Sequence, residues 1–420
     1  MSVPVSQVKI GLPIACGRRI NYGIHTLGGI GASIDPVLHE QPMVGRRGHS
    51  QHPLAHRHKA RHMPQNVRPT AASLDTLIVG SGLAGALMAL ELRRAGHRIA
   101  MVTAAHPPSA SHAAGGLMNP FTAPRLAPMP DLIARCTAAR QYYERLGHEL
   151  GHSLITPTSV YRLCQSAPER ARAQSNRHPW LGPWSETPPI AGFEAPFGGL
   201  AIHNAWRLDL PTMLASAVAR TDAHRHEFPD PFDWRCIQPR NGCIIWRGRP
   251  VGCVLSCEGA GITRNPYWDG LPLQPNGGES LLIQLSADWS TALSAGITLL
   301  PLGKRRYWLG ATHQPGHSAA GPTDTGRHRL LQGLRDHAAI PLTIDVLAHH
   351  AGTRMATPDR EPVLGRHPRL PWLAIFNGLG SRGILRAPES VWQLTRHLTR
   401  GDPLPAALDV NRYAARLAAS

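Results

Sequence analysis

The clearest hydrophobic pattern in the chain begins at Thr76, where a short apolar run to Val79 reads as a strand buried on both faces. Glycines at 80, 82 and 85 follow, and Ala84 to Arg94 then has helical composition without proline. Gly96 ends that helix, and Ile99 to Val102 reads as a second strand. Further along, Asp131 to Leu150 reads as a helix and Ser159 to Cys164 as a strand. Leu208 to Arg220 reads as a helix, with Asp209 at its cap and Pro211 in its first turn. Cys243 to Trp246 and Val251 to Ser256 are short strands. From Ser280 the pattern becomes alternating, giving strands at Leu281 to Leu285, Ile297 to Leu300 and Arg306 to Gly310, with a helix near Arg327 to His337. A last strand, Trp372 to Phe376, leads through a glycine-rich loop into a helix reaching Thr399.

This order predicts an α/β protein. A Rossmann-like nucleotide-binding unit takes residues 73–150, 200–270 and 346–415. An α+β unit built on a mixed or antiparallel sheet takes 151–199 and 271–345.

The loop between the first strand and helix carries specific chemistry. Gly80 allows the tight turn, Gly82 lets a pyrophosphate approach the backbone, and Gly85 lets helix and strand pack closely. Ser81, Leu83 and Ala84 complete a stretch whose N–H groups face an anion at the helix start. A ribose-binding acid normally ends the second strand; here Thr103 stands in that place, and no Asp or Glu occurs between Glu91 and Asp131. The threonine hydroxyl offers a neutral and weaker hydrogen bond. Ser111, Gly115 and Gly116 lie in a loop of small residues able to rest against a flat cofactor. Gly259, in Glu258-Gly-Ala-Gly261, follows a buried strand at a second point of approach. The loop before the last helix, with Gly378, Gly380, Ser381, Gly383, Ile384 and Leu385, repeats the logic of the first: N–H groups and a helix dipole aimed at an anionic atom.

Composition adjusts this picture in three places. The formal net charge is +17 over 420 residues, but lysine occurs only at Lys9, Lys59 and Lys304, and no dense basic block forms. That distribution argues against a dedicated nucleic-acid patch. Seven cysteines without a C-x-x-C pair, two of them (Cys253 and Cys257) in an apolar strand, predict free thiols and a cytoplasmic setting. No apolar run has the length of a membrane span. Residues 1–72 read as a disordered basic extension without a domain or secretory signal, and Met63 is a plausible start. His49, His52, His56, His58 and His62 are spaced too irregularly to predict a metal site.

Together these motifs resemble the D-amino-acid oxidase superfamily of FAD-dependent enzymes, from about Ser73 to the C-terminus. The resemblance rests on the opening fingerprint, Ser111 to Gly116, Gly352 to Gly365, and Gly378 to Pro388, in the family's order. It is strongest to the glycine-oxidase-like branch and to the oxidase domain of the bifunctional tRNA 5-methylaminomethyl-2-thiouridine biosynthesis protein. The resemblance implies non-covalent FAD, because the cysteine that tethers flavin in some members is missing near Arg354. It implies a pyrophosphate on Gly80 to Gly85 and a helix start after Gly383 at the flavin C2 carbonyl. Arg354 stands at the family's carboxylate-binding arginine. Arg382 falls one place after the arginine of glycine oxidases, in a Gly-Ser-Arg-Gly shared with the tRNA-modifying relatives. The implied reaction passes hydride from the α-carbon of a small amino acid to flavin N5, with glycine, an N-substituted glycine or a D-amino acid as donor. Two alternatives stay open: the same chemistry on a carboxymethylaminomethyl uridine of tRNA, and a flavin-binding protein without turnover, which Thr103 motivates. Substrate identity, electron acceptor and oligomeric state are not legible.

Overall fold

A computed structural model describes residues 73–102, 109–121, 126, 131–221, 232–240 and 243–419; the expectations for residues 1–72 and for Thr103 fall outside the described residues. The chain opens with β1 (Leu74–Val79), α1 (Leu83–Arg94) and β2 (Ile99–Val102). A single turn, α2 (Ala110–Ala113), then precedes β3 (Leu117–Met118) and the long α3 (Leu132–Leu150). Next come β4 (Ile155–Leu163), α4 (Ala167–Ser175), β5 (Leu181–Ser185), β6 (Gly199–Leu208) and α5 (Leu210–Thr221). The strands β7 (Ile237–Arg240), β8 (Cys243–Trp246) and β9 (Arg249–Ser256) follow. β10 (Gln274–Leu285) to β14 (Gln314–Pro315) include β11 (Ala292–Ala295), β12 (Ile297–Gly303) and β13 (Arg306–Gly310). The chain closes with α6 (Asp324–Arg335), β15 (Ile344–Ala356), β16 (Val363–Arg366), β17 (Leu373–Asn377), α7 (Gly383–Arg400) and the short α8 (Ala414–Ala419).

Two sheets result. The first runs β16-β17-β9-β1-β2, with β9, β1, β2 and β17 parallel and the β7–β8 hairpin attached to β9. Its strands alternate between two apolar layers. Ile78 packs under α1, α5 and α7, whereas Leu77 and Val79 pack with Ile244, Trp246 and Trp268 on the other face. This two-sided burial is why the run around Thr76 lacks polar alternation. The second sheet runs β14-β10-β13-β12-β11-β4-β6-β3, with β15 on the other side of β10 and β5 on β6. Its apolar layer includes Leu281, Ile283, Leu299 and Leu309, closed by Leu330 and Leu334 of α6. No helix among the described residues is long and apolar enough to cross a membrane.

The structure departs from the sequence reading at three strands. The sequence assigns β3, within 73–150, and most of β6 and β15, within 200–270 and 346–415, to the nucleotide-binding unit, but all three belong to the second sheet. β6 and β15 lack clean alternation. β6 is interrupted at Asn204, whose φ of 59° coincides with a register shift opposite Thr158 and Val160. β15 carries His349 and His350 and shifts register opposite Leu282 and Ile283. The helix expected near Arg327 begins earlier, at Asp324, because the Thr323 hydroxyl caps it by accepting from Gly326 N–H at 2.9 Å.

The connection between β16 and β17 is held by one imidazole. His367 Nδ1 accepts from the N–H groups of Arg369 and Leu370, each at 3.1 Å, and the ring packs 5.0 Å from that of Trp268. Two donors on Nδ1 demand a neutral ring. Burial, then the nearby Arg369, holds its pKa below the usual histidine range. The folded-state value is therefore depressed, so the unfolded chain binds more protons in acid. The stabilisation is full above about pH 6.5, the unfolded value, and is lost as pH falls through the folded one. His367→Asn keeps an acceptor at the Nδ1 position and removes that proton. The Tm of this variant should fall less than wild type between pH 8 and 5, measured by calorimetry at matched ionic strength. Equal slopes would show that His367 contributes nothing to the acid limb.

Candidate active site

One cavity of about 580 Å³ receives the ends of both sheets. Ser81 to Ala84 at the start of α1, the loop Ser109 to Gly116, Glu258 to Gly261 after β9, and Gly380, Ser381, Gly383 and Ile384 at the start of α7 all line it. The second sheet contributes Gly278 to Ser280, Thr298, Trp308, Gly310, His313 and Gly352 to Met355.

The geometry of the first loop follows from two missing side chains. Gly80 has φ +110°, and a Cβ there would stand 2.3 Å from the Cys257 carbonyl oxygen. A Cβ on Gly85 would stand 1.9 Å from the Gly80 carbonyl oxygen. Helix and strand therefore meet backbone to backbone, and α1 starts directly at the cavity with no side-chain cap at Gly82. Of the N–H groups that a helix start leaves without intrahelical partners, Leu83 donates to Ser111 Oγ at 3.0 Å. Gly85 itself packs behind the cavity rather than lining it.

The Ser109 to Gly116 segment requires glycine at two places as well. A Cβ on Gly115 would stand 2.6 Å from the Trp308 ring, and one on Gly116, at φ +77°, 2.1 Å from the Leu208 carbonyl oxygen. Trp308 Nε1 and Ser280 Oγ both donate to the Ala113 carbonyl, at 2.9 and 2.7 Å. β15 then ties both cofactor-side loops together, since Thr353 bridges to Ser109 and Ala356 to Leu379. Arg354 is delivered between those two bridges.

Charge in the cavity is lopsided. The lining holds two carboxylates, Glu258 and Glu279, and both are engaged elsewhere. Glu258 accepts from Ser256 Oγ, from Asn265 Nδ2 at 2.8 Å and from Trp234 Nε1 at 3.0 Å. Burial raises its pKa against those three bonds. Glu279 accepts from Thr323 N–H and Oγ1, at 2.9 and 2.8 Å, at the start of α6. Arg354 has no carboxylate within ion-pair distance among the described residues; its polar contact is with His313 Nδ1, 3.1 Å from Nη1. Burial pushes the Arg354 pKa down, as expected for a cation without a counterion. His112 and His313 also titrate below the usual range. For His112 the causes are burial and His350, and for His313 burial, Arg354 and Arg329.

Most residues singled out from the sequence meet at this cavity: Gly80, Ser81, Gly82, Leu83, Ala84, Ser111, Gly115, Gly116, Gly259, Gly380, Ser381, Gly383, Ile384 and Arg354. Gly85, Gly378, Leu385 and Arg382 do not line it. Leu385 is in the core, and Gly378 takes φ +75° at the turn after β17. Arg382 precedes α7 beside Arg360, Arg386 and Cys136, with its pKa lowered by burial first and by those arginines second. Trp308, Ser280, Thr298 and His313 went unnoticed in the sequence because nothing local marks them.

Residues 75–394 match the DAO family model, described as FAD dependent oxidoreductase. The chain belongs to this family of FAD-dependent oxidoreductases. The DAO-family chain is 25% identical to the glycine oxidase of Pseudomonas aeruginosa over 349 residues, covering 78% of this chain and 95% of that protein. Its fold is similar to the crystal structure of glycine oxidase from Geobacillus kaustophilus, with a TM-score of 0.63, 20% identity, and coverage of 82% and 98%. It is similar also to iminodiacetate oxidase from Chelativorans sp. BNC1, with a TM-score of 0.61, 22% identity, and coverage of 81% and 98%. FAD is the cofactor of the family, and the cradle fits it: two uncapped helix starts and a flat, glycine-paved wall open into one cavity.

Gly85→Ala should push α1 off β1 and release flavin. The flavin-to-protein absorbance ratio after gel filtration should fall well below that of wild type. Gly96→Ala is the control: its φ is +84° but nothing lies within 4 Å of its Cβ. That change should cost about 1–2 kcal/mol for left-handed backbone and leave flavin content unchanged.

Proposed function

We propose that the chain oxidises the C–N bond of a small amino acid, with glycine or an N-substituted glycine as donor. The observation that carries this reading is Arg354, a partly buried guanidinium in the cavity wall with no carboxylate counterion among the described residues. A planar fork with several free N–H donors suits a substrate carboxylate bound in two-point fashion. The names of the similar proteins, glycine oxidase and iminodiacetate oxidase, support the same substrate class.

FAD, when bound, supplies the hydride acceptor. The chain's own tasks are then orientation and exclusion of water. The glycine loop and the start of α1 would hold the pyrophosphate through their N–H groups. The start of α7, whose Gly380, Ser381, Gly383 and Ile384 line the cavity, would offer its positive end to stabilise negative charge there. Arg354 fixes the carboxylate, and with it the α-carbon. Arg382, which motivated a tRNA substrate, stands outside the cavity lining and does not share that task.

Anaerobic addition of glycine, N-methylglycine, iminodiacetate and D-alanine to the purified protein should bleach the flavin bands with at least one compound. Bands that none of these bleaches would defeat the reading. Arg354→Met should reduce kcat/KM by the equivalent of about 2–5 kcal/mol, roughly 30- to 5,000-fold, at unchanged flavin content. An unaltered kcat/KM would remove the carboxylate from Arg354.

A further inference from the structure

We propose that His313 is a positioning residue that holds the Arg354 guanidinium in its carboxylate-binding orientation by accepting a hydrogen bond at Nδ1. The inference rests on the carboxylate reading of Arg354 given above. A guanidinium only donates, so Nδ1, 3.1 Å from Arg354 Nη1, is the acceptor and the imidazole carries its proton on Nε2.

The meeting of these side chains is built by β10. β14, directly after His313, pairs with β10 on one side, Gly277 opposite Gln314; β15 pairs on the other, Asn276 opposite Arg354. Gly278 leaves the space between them open. A Cβ there would stand 2.4 Å from the Thr312 carbonyl oxygen and 3.4 Å from Arg354 Nη2, so the guanidinium lies over this glycine. An arginine has long, free torsions and loses rotamer entropy when fixed. With no carboxylate among the described residues to orient it, Arg354 would otherwise sample several directions. His313 takes one of its five N–H donors and leaves the rest for the ligand. A neutral partner fixes the fork without quenching its charge, which an aspartate in the same place would do. Partial burial and the charges of Arg354 and Arg329 keep the imidazole in that neutral form.

Acetate carries the carboxylate without an oxidisable C–N bond, so its binding isolates this role. It is titrated calorimetrically into the holoenzyme of wild type, Arg354→Met, His313→Leu, His313→Gln and His313→Asn. Asparagine places Oδ1 where Nδ1 stands, whereas glutamine carries its amide one bond further out. Dissociation constants should rise roughly tenfold in His313→Leu and His313→Gln, the loss of one hydrogen bond to a charged group. They should stay near wild type in His313→Asn, at unchanged flavin content. With an oxidised substrate the same two variants should show raised KM and little change in kcat. If His313→Leu loses flavin, the Gln and Asn pair carries the comparison, both being polar amides. Wild-type acetate affinity in His313→Gln, beside weakened Arg354→Met, overturns the positioning role and leaves the carboxylate reading standing. So does an Asn variant as weak as Gln. Acetate binding that survives Arg354→Met overturns the carboxylate reading, and this inference with it.

Discussion

Two helices begin at the wall of one cavity without side-chain caps, and the donors they leave unsatisfied are the constraint on which the site depends. A helix start buried against protein would need partners for those N–H groups. Here Ser111 Oγ takes the Leu83 N–H, and α1 and α7 otherwise start at the cavity, where a ligand with anionic or carbonyl oxygen suits the donors that remain. Only a backbone-to-backbone approach of α1 to β1 makes this possible. That approach exists because Gly80 and Gly85 carry no side chain between Cys257, the turn and the helix. Everything in the first sheet serves to hold it. β1 is sandwiched between two apolar layers, and a strand fixed on both faces cannot shift to relieve a clash.

The second sheet solves a different problem, the delivery of one charge. β15 spans Ile344–Ala356 and is paired with β10 along most of its length, which makes it a rigid arm. Its last residues bridge to the loop before α2 and to the loop before α7, so Arg354 is tied to both cofactor-side walls at once. The carboxylates near it have other work. Glu258 props the turn after β9, and Glu279 accepts donors at the start of α6, where Gly326 lacks a side chain because the carboxylate fills its place. The cavity therefore keeps an unneutralised positive charge, the condition for selecting an acid over a neutral amine.

Legibility from sequence follows the range of the interactions. The β1 loop, α1 and β2 could be read because the glycine spacing and apolar runs that mark them fall within about thirty residues. The loops at Ser111 and Gly380 carry the same kind of local glycine pattern, although the contacts that require those glycines, such as Trp308 on Gly115, lie far away in the chain. β6 and β15 were misplaced because each carries a register irregularity that breaks alternation, and a strand's sheet partner is not encoded in its own residues. His313 was invisible for a stronger reason. It lies 41 residues from Arg354, and the two meet only because β10 passes between them with a glycine at the crossing.

The sparseness of the site is itself informative. Oxidation by hydride transfer asks for a fixed donor carbon, a dry cavity and stabilisation of charge on the acceptor, not for a nucleophile or a metal. Each demand is met by backbone or by a single side chain: glycines that bring main chain close, two helix starts, a tryptophan that pins a loop, and one arginine. Such a site gains specificity from shape and from the direction of one guanidinium. On the proposed reading, whatever aligns that fork decides which acids are oxidised, and the contact available for that alignment is His313 Nδ1, which reaches the guanidinium across Gly278.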